Sequence, residues 1–540
     1  MVKPTIGAVS VPAPHTTATP SPAGEGVVGV GEIPPVEPPD GGRETALARL
    51  NRPMPADRLR GWVVALTLTL VGGVIRFWNL GHPTDQGTPI FDEKHYVPHA
   101  WQVLRNGGVE DNPGYRLIVH PPLGKHLIAV GEWLFGYTAW GWRFSAAVAG
   151  TVSILLIVRI GRRLTRSTFL GGIAGVLLIA DGVSHVQSRV GMLDIFLAVL
   201  VLAAFGCLLV DRDQVRDRLA VVVREGRTGD SVWGPRLGVR WWRLGAGVLL
   251  GLACGVKWSG GYFLAAFAVL CVFWDYTARR AAGVDRPFLG AARRDLGPGL
   301  WAFVAVPIAT YLATWWAWFG SETAFDRHAV GDGVGTSSAF WFVPDALRAL
   351  WFNSGSVLDF HNGLVTDPDD PHAWESKPWT WPMGLRAMLY YYDGSVTGCG
   401  QDECVGALML IGTPAMYWLV FPMLAWALWR AVTRYDWRYT AVLVGYLAGW
   451  LPWFSNLDRQ MYFFYITPVA PFLVLGLTLV LGQILGPARR GTERRGTGLL
   501  VVALYVGLVV ANFVWLWPVL VGEPITPWRW NAELWLPSWR

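Results

Sequence analysis

Apolar runs long enough, or nearly so, to span a bilayer recur along most of the chain, and they constrain the fold more than any other feature. Lipid offers no hydrogen-bond partners, so each run must satisfy its own backbone groups, and a helix does this within one segment. Charged residues make up only 16% of the chain and hydrophobic ones 52%, whereas a soluble domain carries about 25% charge. The chain is therefore expected to be an all-α polytopic membrane protein.

Basic residues set the expected topology. Residues 1–57 are Pro- and Gly-rich, show no apolar period and are expected to form a disordered tail. No signal-peptide core precedes the first span. The tail ends in Arg43, Arg49, Arg52, Arg58 and Arg60, which places it in the cytoplasm. A span from Gly61 to Leu80 leads to a polar loop (81–138), and a second span from Ala139 ends at Arg159, Arg162, Arg163 and Arg166. Phe169–Ala180 and Met192–Val210 follow, then a gap from Asp211 to Arg243 with eight Arg. Leu244–Asp275 is too long for one span and is broken at Lys257, so it reads as two short spans. Leu296–Phe319 precedes a second long polar loop (320–406), and Ala407–Leu428, Tyr439–Phe454, Tyr462–Leu485 and Gly498–Val521 complete the set. The result is about eleven transmembrane helices with the basic gaps on one side, the long acidic loops on the other, a cytoplasmic N-terminus and an external C-terminal tail (531–540). The net charge of +6 lies largely in the short gaps, so it reads as topology and not as nucleic-acid binding. No internal repeat of the kind seen in inverted-repeat transporters is visible.

Five features carry chemistry. FDEKHY (Phe91–Tyr96) opens the first loop with adjacent carboxylates, Asp92 and Glu93. Neighbouring side chains diverge, so one carboxylate is expected to be functional and the other structural. A carboxylate at an apolar edge has its pKa raised, which suits a general base, although a solvated acidic patch or helix cap reads equally well. HPPLGKH (His120–His126) places Lys125 in the first turn of a helix, where a phosphate or a snorkelling Lys fits. Arg143, Arg189, Asp194 and Lys257 lie in or at the ends of apolar runs, where an isolated charge costs about 2.5–3.5 kcal/mol and usually finds a partner or lines a polar cavity. Arg459, at a third external edge, is a further phosphate candidate or an interfacial anchor. In the second loop, Trp379, Trp381 and Tyr390–Tyr392 fit an interfacial belt or sugar stacking. Cys399 and Cys404 enclose a short external loop and could form a disulfide, and no metal-ligand spacing is present.

Taken together, FDEKHY, HPPLGK, WRFSAAVAGT, SRVGMLD, GVKWSGGYF and SKPWTWP resemble the motifs of the protein O-mannosyltransferases, and residues 60–530 follow that family's plan. The composition and Pro-rich tail are similar to those of actinobacterial members. The resemblance implies a GT-C glycosyltransferase fold over residues 58–530. It also implies transfer of mannose, with inversion, from polyprenyl-phosphate-mannose to Ser/Thr hydroxyls of exported proteins at the external face of the plasma membrane. It makes Asp92 the general base and Glu93 its neighbour in acceptor or loop positioning. Arg143 is tied to donor recognition, with His120, Lys125, Arg189, Lys257 and Arg459 as further candidates for the donor phosphate. No metal or other cofactor is expected, because basic side chains can stabilise a leaving lipid phosphate. The expected partners are polyprenyl-phosphate-mannose, unfolded Ser/Thr/Pro-rich secretory proteins, the Sec translocon and membrane lipids. Eukaryotic members carry a repeat domain in the second long loop, and this chain has no room for one. A GT-C enzyme using another lipid-linked sugar or a glycolipid acceptor is the alternative, and a lipid or solute transporter is the rival from a different class.

Overall fold

The computed structural model describes residues 41–50, 53–112, 119–330, 340–486 and 493–540. Residues 1–40 of the expected tail, and Arg489 and Arg490 of one basic gap, lie outside the described residues. The end of that tail is helical, correcting the expectation of disorder up to residue 57: α1 spans Gly41–Leu50. Ala46, Leu47 and Leu50 form a short apolar stripe that joins Val215, Leu219 and Val223 in one cluster.

The main body begins with α2 (Arg58–Phe77). The first loop holds α3 (Glu93–Arg105) and α4 (Leu123–Phe135). Next come α5 (Ala139–Thr165), α6 (Thr168–Ile179), the short α7 (Gly182–Gln187) and α8 (Asp194–Arg224). Helices α9 (Trp241–Val256) and α10 (Gly260–Ala281) are separated by Lys257, whose backbone is extended. α11 (Pro287–Leu300) runs through a π-helical turn, Trp301–Ala305, into α12 (Val306–Thr314), and α13 (Trp316–Phe319) follows. The second loop contributes α14 (Asp345–Gly363) and β1 (Met388–Asp393). β1 pairs antiparallel with β2 (Gly406–Leu410), Met388 opposite Leu410. The chain closes with α15 (Pro414–Tyr417), α16 (Val420–Thr433), α17 (Trp437–Trp450), α18 (Ala470–Leu485), α19 (Glu493–Val521) and α20 (Pro527–Glu533).

Among the described residues, seven helical segments are long and apolar enough to cross a membrane, and three shorter apolar helices accompany them (α6, α9 and α18). All ten fall on apolar runs read from the sequence, and α17 falls on the eleventh. Several boundaries differ. α8 runs on to Arg224, past the expected end at Val210, and α11 begins at Pro287, before the expected Leu296. Gly406–Leu410, expected to begin a span, is a strand, and Tyr462–Val469 is an irregular lead-in to α18. In both places aromatic and apolar residues pack against the long loops, which hydropathy alone reads as lipid-facing.

Small residues let the helices approach closely. Gly247, Gly251 and Gly255 recur every fourth residue on α9, and a Cβ there would lie 2.0 Å from the Ala302 carbonyl, 2.7 Å from the Pro307 carbonyl and 2.7 Å from Thr314. At the basic end of the bundle, Arg240 and Arg243 both bridge Asp211 and Asp275, at distances of 2.5–3.2 Å, with all four side chains buried. Asp213 holds Arg163 and Arg166 at 2.6 and 2.9 Å. The Asp211–Asp213 stretch, unassigned in the sequence, is therefore a structural clasp. At the other end the C-terminal residues are not a free tail: the buried Trp539 indole donates to the Gly384 carbonyl in the second loop at 2.9 Å.

Candidate active site

The two adjacent carboxylates have opposite surroundings. Glu93 is fully buried and accepts from Arg143 Nε (2.8 Å) and Nη2 (2.9 Å), and from the backbone N–H of Ile90 (3.1 Å) and Gly191 (2.7 Å). No hydrogen bond to the Asp92 carboxylate exists among the described residues, and its side chain is half-buried. Burial pushes the Asp92 carboxyl above the usual carboxylate range, against the pull of Lys257 and His95. One carboxylate is thus built into the frame, and the other has no hydrogen-bond partner among the described residues. Phe91 adopts a left-handed backbone (φ +47°), held by stacking on Tyr390 of β1 (4.5 Å, 11°). Tyr390 in turn accepts a hydrogen bond from Gln187 at the end of α7 (2.8 Å). A side chain with φ > 0 costs about 1–3 kcal/mol and persists only where its surroundings over-determine it.

The turn between α7 and α8 organises both sides of the site. Its Gly191 N–H holds Glu93, and Asp194, the first residue of α8, holds the Lys257 ammonium at 2.8 Å. Lys257 sits where the helix breaks, so its side chain projects from an extended residue toward α8. The ammonium also faces the rings of Phe464 (5.4 Å) and Tyr465 (5.9 Å), and Phe464 packs edge-on to Phe91 (6.0 Å). Lys257 therefore lies within electrostatic reach of Asp92.

Lys257 also lines a cavity of about 350 Å³, with His120, Asp194, Trp258, His361, Asn362, Trp453, Arg459 and Tyr465 among its walls. Arg459 donates from Nη1 to the His361 carbonyl and from Nη2 to His361 Nδ1, both at 3.2 Å. His361 Nε2 faces the Val119 carbonyl at 2.8 Å. A carbonyl only accepts and an Arg only donates, so His361 is fixed as the neutral tautomer with its proton on Nε2. The Arg459 Nε is buried and has no hydrogen-bond partner among the described residues, so the guanidinium keeps donor capacity beside the cavity.

Three of the six expected donor-binding residues, His120, Lys257 and Arg459, share this cavity. The other three lie elsewhere. Arg143 is fully buried and all three of its nitrogens are bonded, to Glu93 and to the Leu80 (3.2 Å) and Pro83 (2.8 Å) carbonyls. Arg189 is buried and donates to the carbonyls of Arg76 (3.0 Å), Trp78 (2.5 Å) and Asn79 (3.1 Å), closing the end of α2. Free carbonyls at a helix end and an acid on another helix engage these cations here. Lys125 is buried on α4, lies outside the cavity lining and senses Glu110, and burial lowers its pKa to about 8.

Of the aromatic residues in the second loop, Trp381 and Tyr390 are buried, so neither is in a lipid-facing belt, whereas Trp379 is exposed. Cys399 and Cys404 are joined by a disulfide (Cα–Cα 5.8 Å) in the turn between β1 and β2. Sequence reasoning missed His361, which carries no local motif. It also missed the Asp194–Lys257 pair, whose members lie 63 residues apart in the chain.

Comparison with known proteins gives this geometry a family. Residues 138–320 match the model of dolichyl-phosphate-mannose-protein mannosyltransferase, and residues 347–539 match that of the C-terminal four-helix membrane region of protein O-mannosyltransferase. The polyprenol-phosphate-mannose–protein mannosyltransferase of Mycobacterium tuberculosis is 59% identical over 90% of this chain and 93% of its own length. That of Mycolicibacterium smegmatis is 54% identical over 97% and 99%. The fold is shared with the Saccharomyces cerevisiae protein O-mannosyltransferase Pmt1-Pmt2 complex bound to the sugar donor, at a TM-score of 0.67 and 14% identity over 92% of this chain and 94% of that one. With a family arrangement of helices, and with relatives this similar spanning nearly its whole length, the chain belongs to the protein O-mannosyltransferase family.

Proposed function

We propose that this protein transfers a single mannose from polyprenyl-phosphate-mannose to Ser or Thr hydroxyls of exported proteins, at the external face of the plasma membrane. The observation that carries the reading is the placement of Lys257: its ammonium lines the cavity and faces the Phe464 ring (5.4 Å), which packs edge-on to Phe91 (6.0 Å), the residue before Asp92. Base and phosphate-binding cation thus flank one reaction centre. The hydroxyl oxygen attacks the anomeric carbon, Asp92 takes the hydroxyl proton, and the bond from that carbon to the phosphate oxygen breaks with inversion. The electron pair leaves with the polyprenyl phosphate, whose charge Lys257 and Arg459 offset in a partly dry site. Cationic side chains suffice for this leaving group, so the chemistry calls for no metal. The topology is read as about eleven spans with the N-terminus inside and the C-terminus outside; on this reading the cavity faces the exterior, and the acceptor is an unfolded chain delivered by the Sec translocon.

The direct test supplies purified protein in nanodiscs with polyprenyl-phosphate-mannose and a Ser/Thr/Pro-rich peptide, and reads one added hexose by mass spectrometry. Absence of transfer by the folded enzyme, with transfer from a different lipid-linked sugar or to a lipid acceptor, would replace this reading. Arg459→Ala is expected to raise the donor KM about 10- to 100-fold, the worth of a hydrogen bond to a charged group. An unchanged donor KM would remove Arg459 from the phosphate site.

The pH profile provides a second check. A base must be ionised to act, and burial raises the Asp92 pKa, so kcat/KM should fall on acidification through a limb above about pH 3.9, the ordinary Asp value. A limb at or below that value would contradict Asp92 as the base.

A further inference from the structure

Arg459 does not sit on a helix; it lies in the stretch Asn456–Met461 between α17 and α18. A guanidinium on such a segment is only as well placed as its backbone, and the second loop supplies the fixings. Val365 and Arg459 form an isolated antiparallel bridge, the Thr366 N–H donates to the Asp458 carbonyl (2.8 Å), and the Gln460 N–H donates to the Leu364 carbonyl (3.0 Å). Lys377, in the SKPWTWP stretch, adds a second anchor. Its ammonium donates to the carbonyls of Leu457 (2.9 Å) and Arg459 itself (3.0 Å), and to Thr366 Oγ1 (2.7 Å). Glu375 lies 2.7 Å from the same ammonium and accepts from Thr366 Oγ1. Lys377 is absent from the cavity lining, so its charge is not offered to the ligand.

We propose that Lys377 is a positioning residue for the donor phosphate: by bonding the Leu457 and Arg459 carbonyls it fixes the backbone that aims the Arg459 guanidinium into the cavity. The inference rests on the mannosyl-transfer reading and on Arg459 meeting the phosphate. It assigns SKPWTWP a task distinct from sugar stacking. Lys377 docks the second loop onto the segment before α18, while Trp381, buried against Trp453 (5.9 Å) and Tyr465 (5.7 Å), supports the cavity wall. An ammonium satisfies oxygens converging from several directions, which neither a neutral side chain nor a planar guanidinium reproduces in full.

The test is a double-mutant cycle in nanodiscs, with donor KM, acceptor KM, kcat and the thermal midpoint measured for wild type, Lys377→Met, Arg459→Ala and the double variant. Lys377→Met is expected to raise the donor KM about tenfold, the scale on which a small misplacement acts, with acceptor KM little changed; combining it with Glu375→Gln, which leaves no lone buried carboxylate, should keep the midpoint near wild type. Lys377→Arg should recover part of the loss. In the Arg459→Ala background, Lys377→Met should add no further rise. An equal fold-rise in both backgrounds would overturn the proposal, as would a loss that follows the thermal midpoint. If Lys377→Met does not fold, Thr366→Val loosens the same ammonium, and its donor KM effect should likewise vanish in the Arg459→Ala background. Arg459→Ala without effect on donor KM would sink the underlying phosphate reading instead, so the two failures are distinguishable.

Discussion

Asp92→Asn is expected to lower mannose transfer by about 10²- to 10⁴-fold, the usual contribution of a positioned general base. The substitution keeps the side chain's size and removes only its ability to take a proton. Asp92 makes no side-chain hydrogen bond among the described residues, and its carboxyl is held above its ordinary pKa by burial. Its ionised form is therefore disfavoured by folding, and neutralising it should leave the thermal midpoint unchanged or slightly higher. Donor affinity should change little, because the cavity cations remain. Single-turnover hexose transfer, with the midpoint measured in parallel, separates these effects. Equal transfer by wild type and Asp92→Asn would leave the family membership intact and remove Asp92 as the base.

Its neighbour should behave in the opposite way. Glu93→Gln or Arg143→Met is expected to cost about 3–5 kcal/mol of stability, because each leaves an uncompensated charge in a site closed to water. Both side chains are fully buried, and between them they hold the backbone of Leu80, Pro83, Ile90 and Gly191. The visible outcome is a lower midpoint or loss of folded protein, with activity falling along with it. Exchanging both residues for Met should be milder than either single change, since no lone charge is then buried, although the orphaned backbone groups prevent full recovery. A folded Arg143→Met enzyme with only a raised donor KM would contradict this and return Arg143 to the phosphate. The same adjacent pair, Asp92 and Glu93, thus separates a chemical role from a structural one by what is measured: rate in one case, stability in the other.

The motif positions and the apolar runs were legible because they are local properties. Hydropathy and basic gaps placed the apolar helices, the extended break at Lys257 included, whereas α14, with its polar residues, fell in a stretch read as loop. The divergence of neighbouring side chains predicted that Asp92 and Glu93 would differ, but nothing local said which one would be enclosed. That depended on Arg143, 50 residues further along the chain on α5, and on a backbone N–H from the turn before α8. The sequence also flagged a surplus of embedded cations without being able to sort them. Arg143, Arg189 and Lys257 look alike in one dimension, yet Arg143 meets a buried acid, Arg189 meets the free carbonyls at the end of α2, and Lys257 meets Asp194 and the cavity. Length, helix positions and family resemblance thus follow from the order of residues. The division of the charges between frame and site was decided by tertiary structure, because a buried charge takes whichever partner packing brings within about 3 Å.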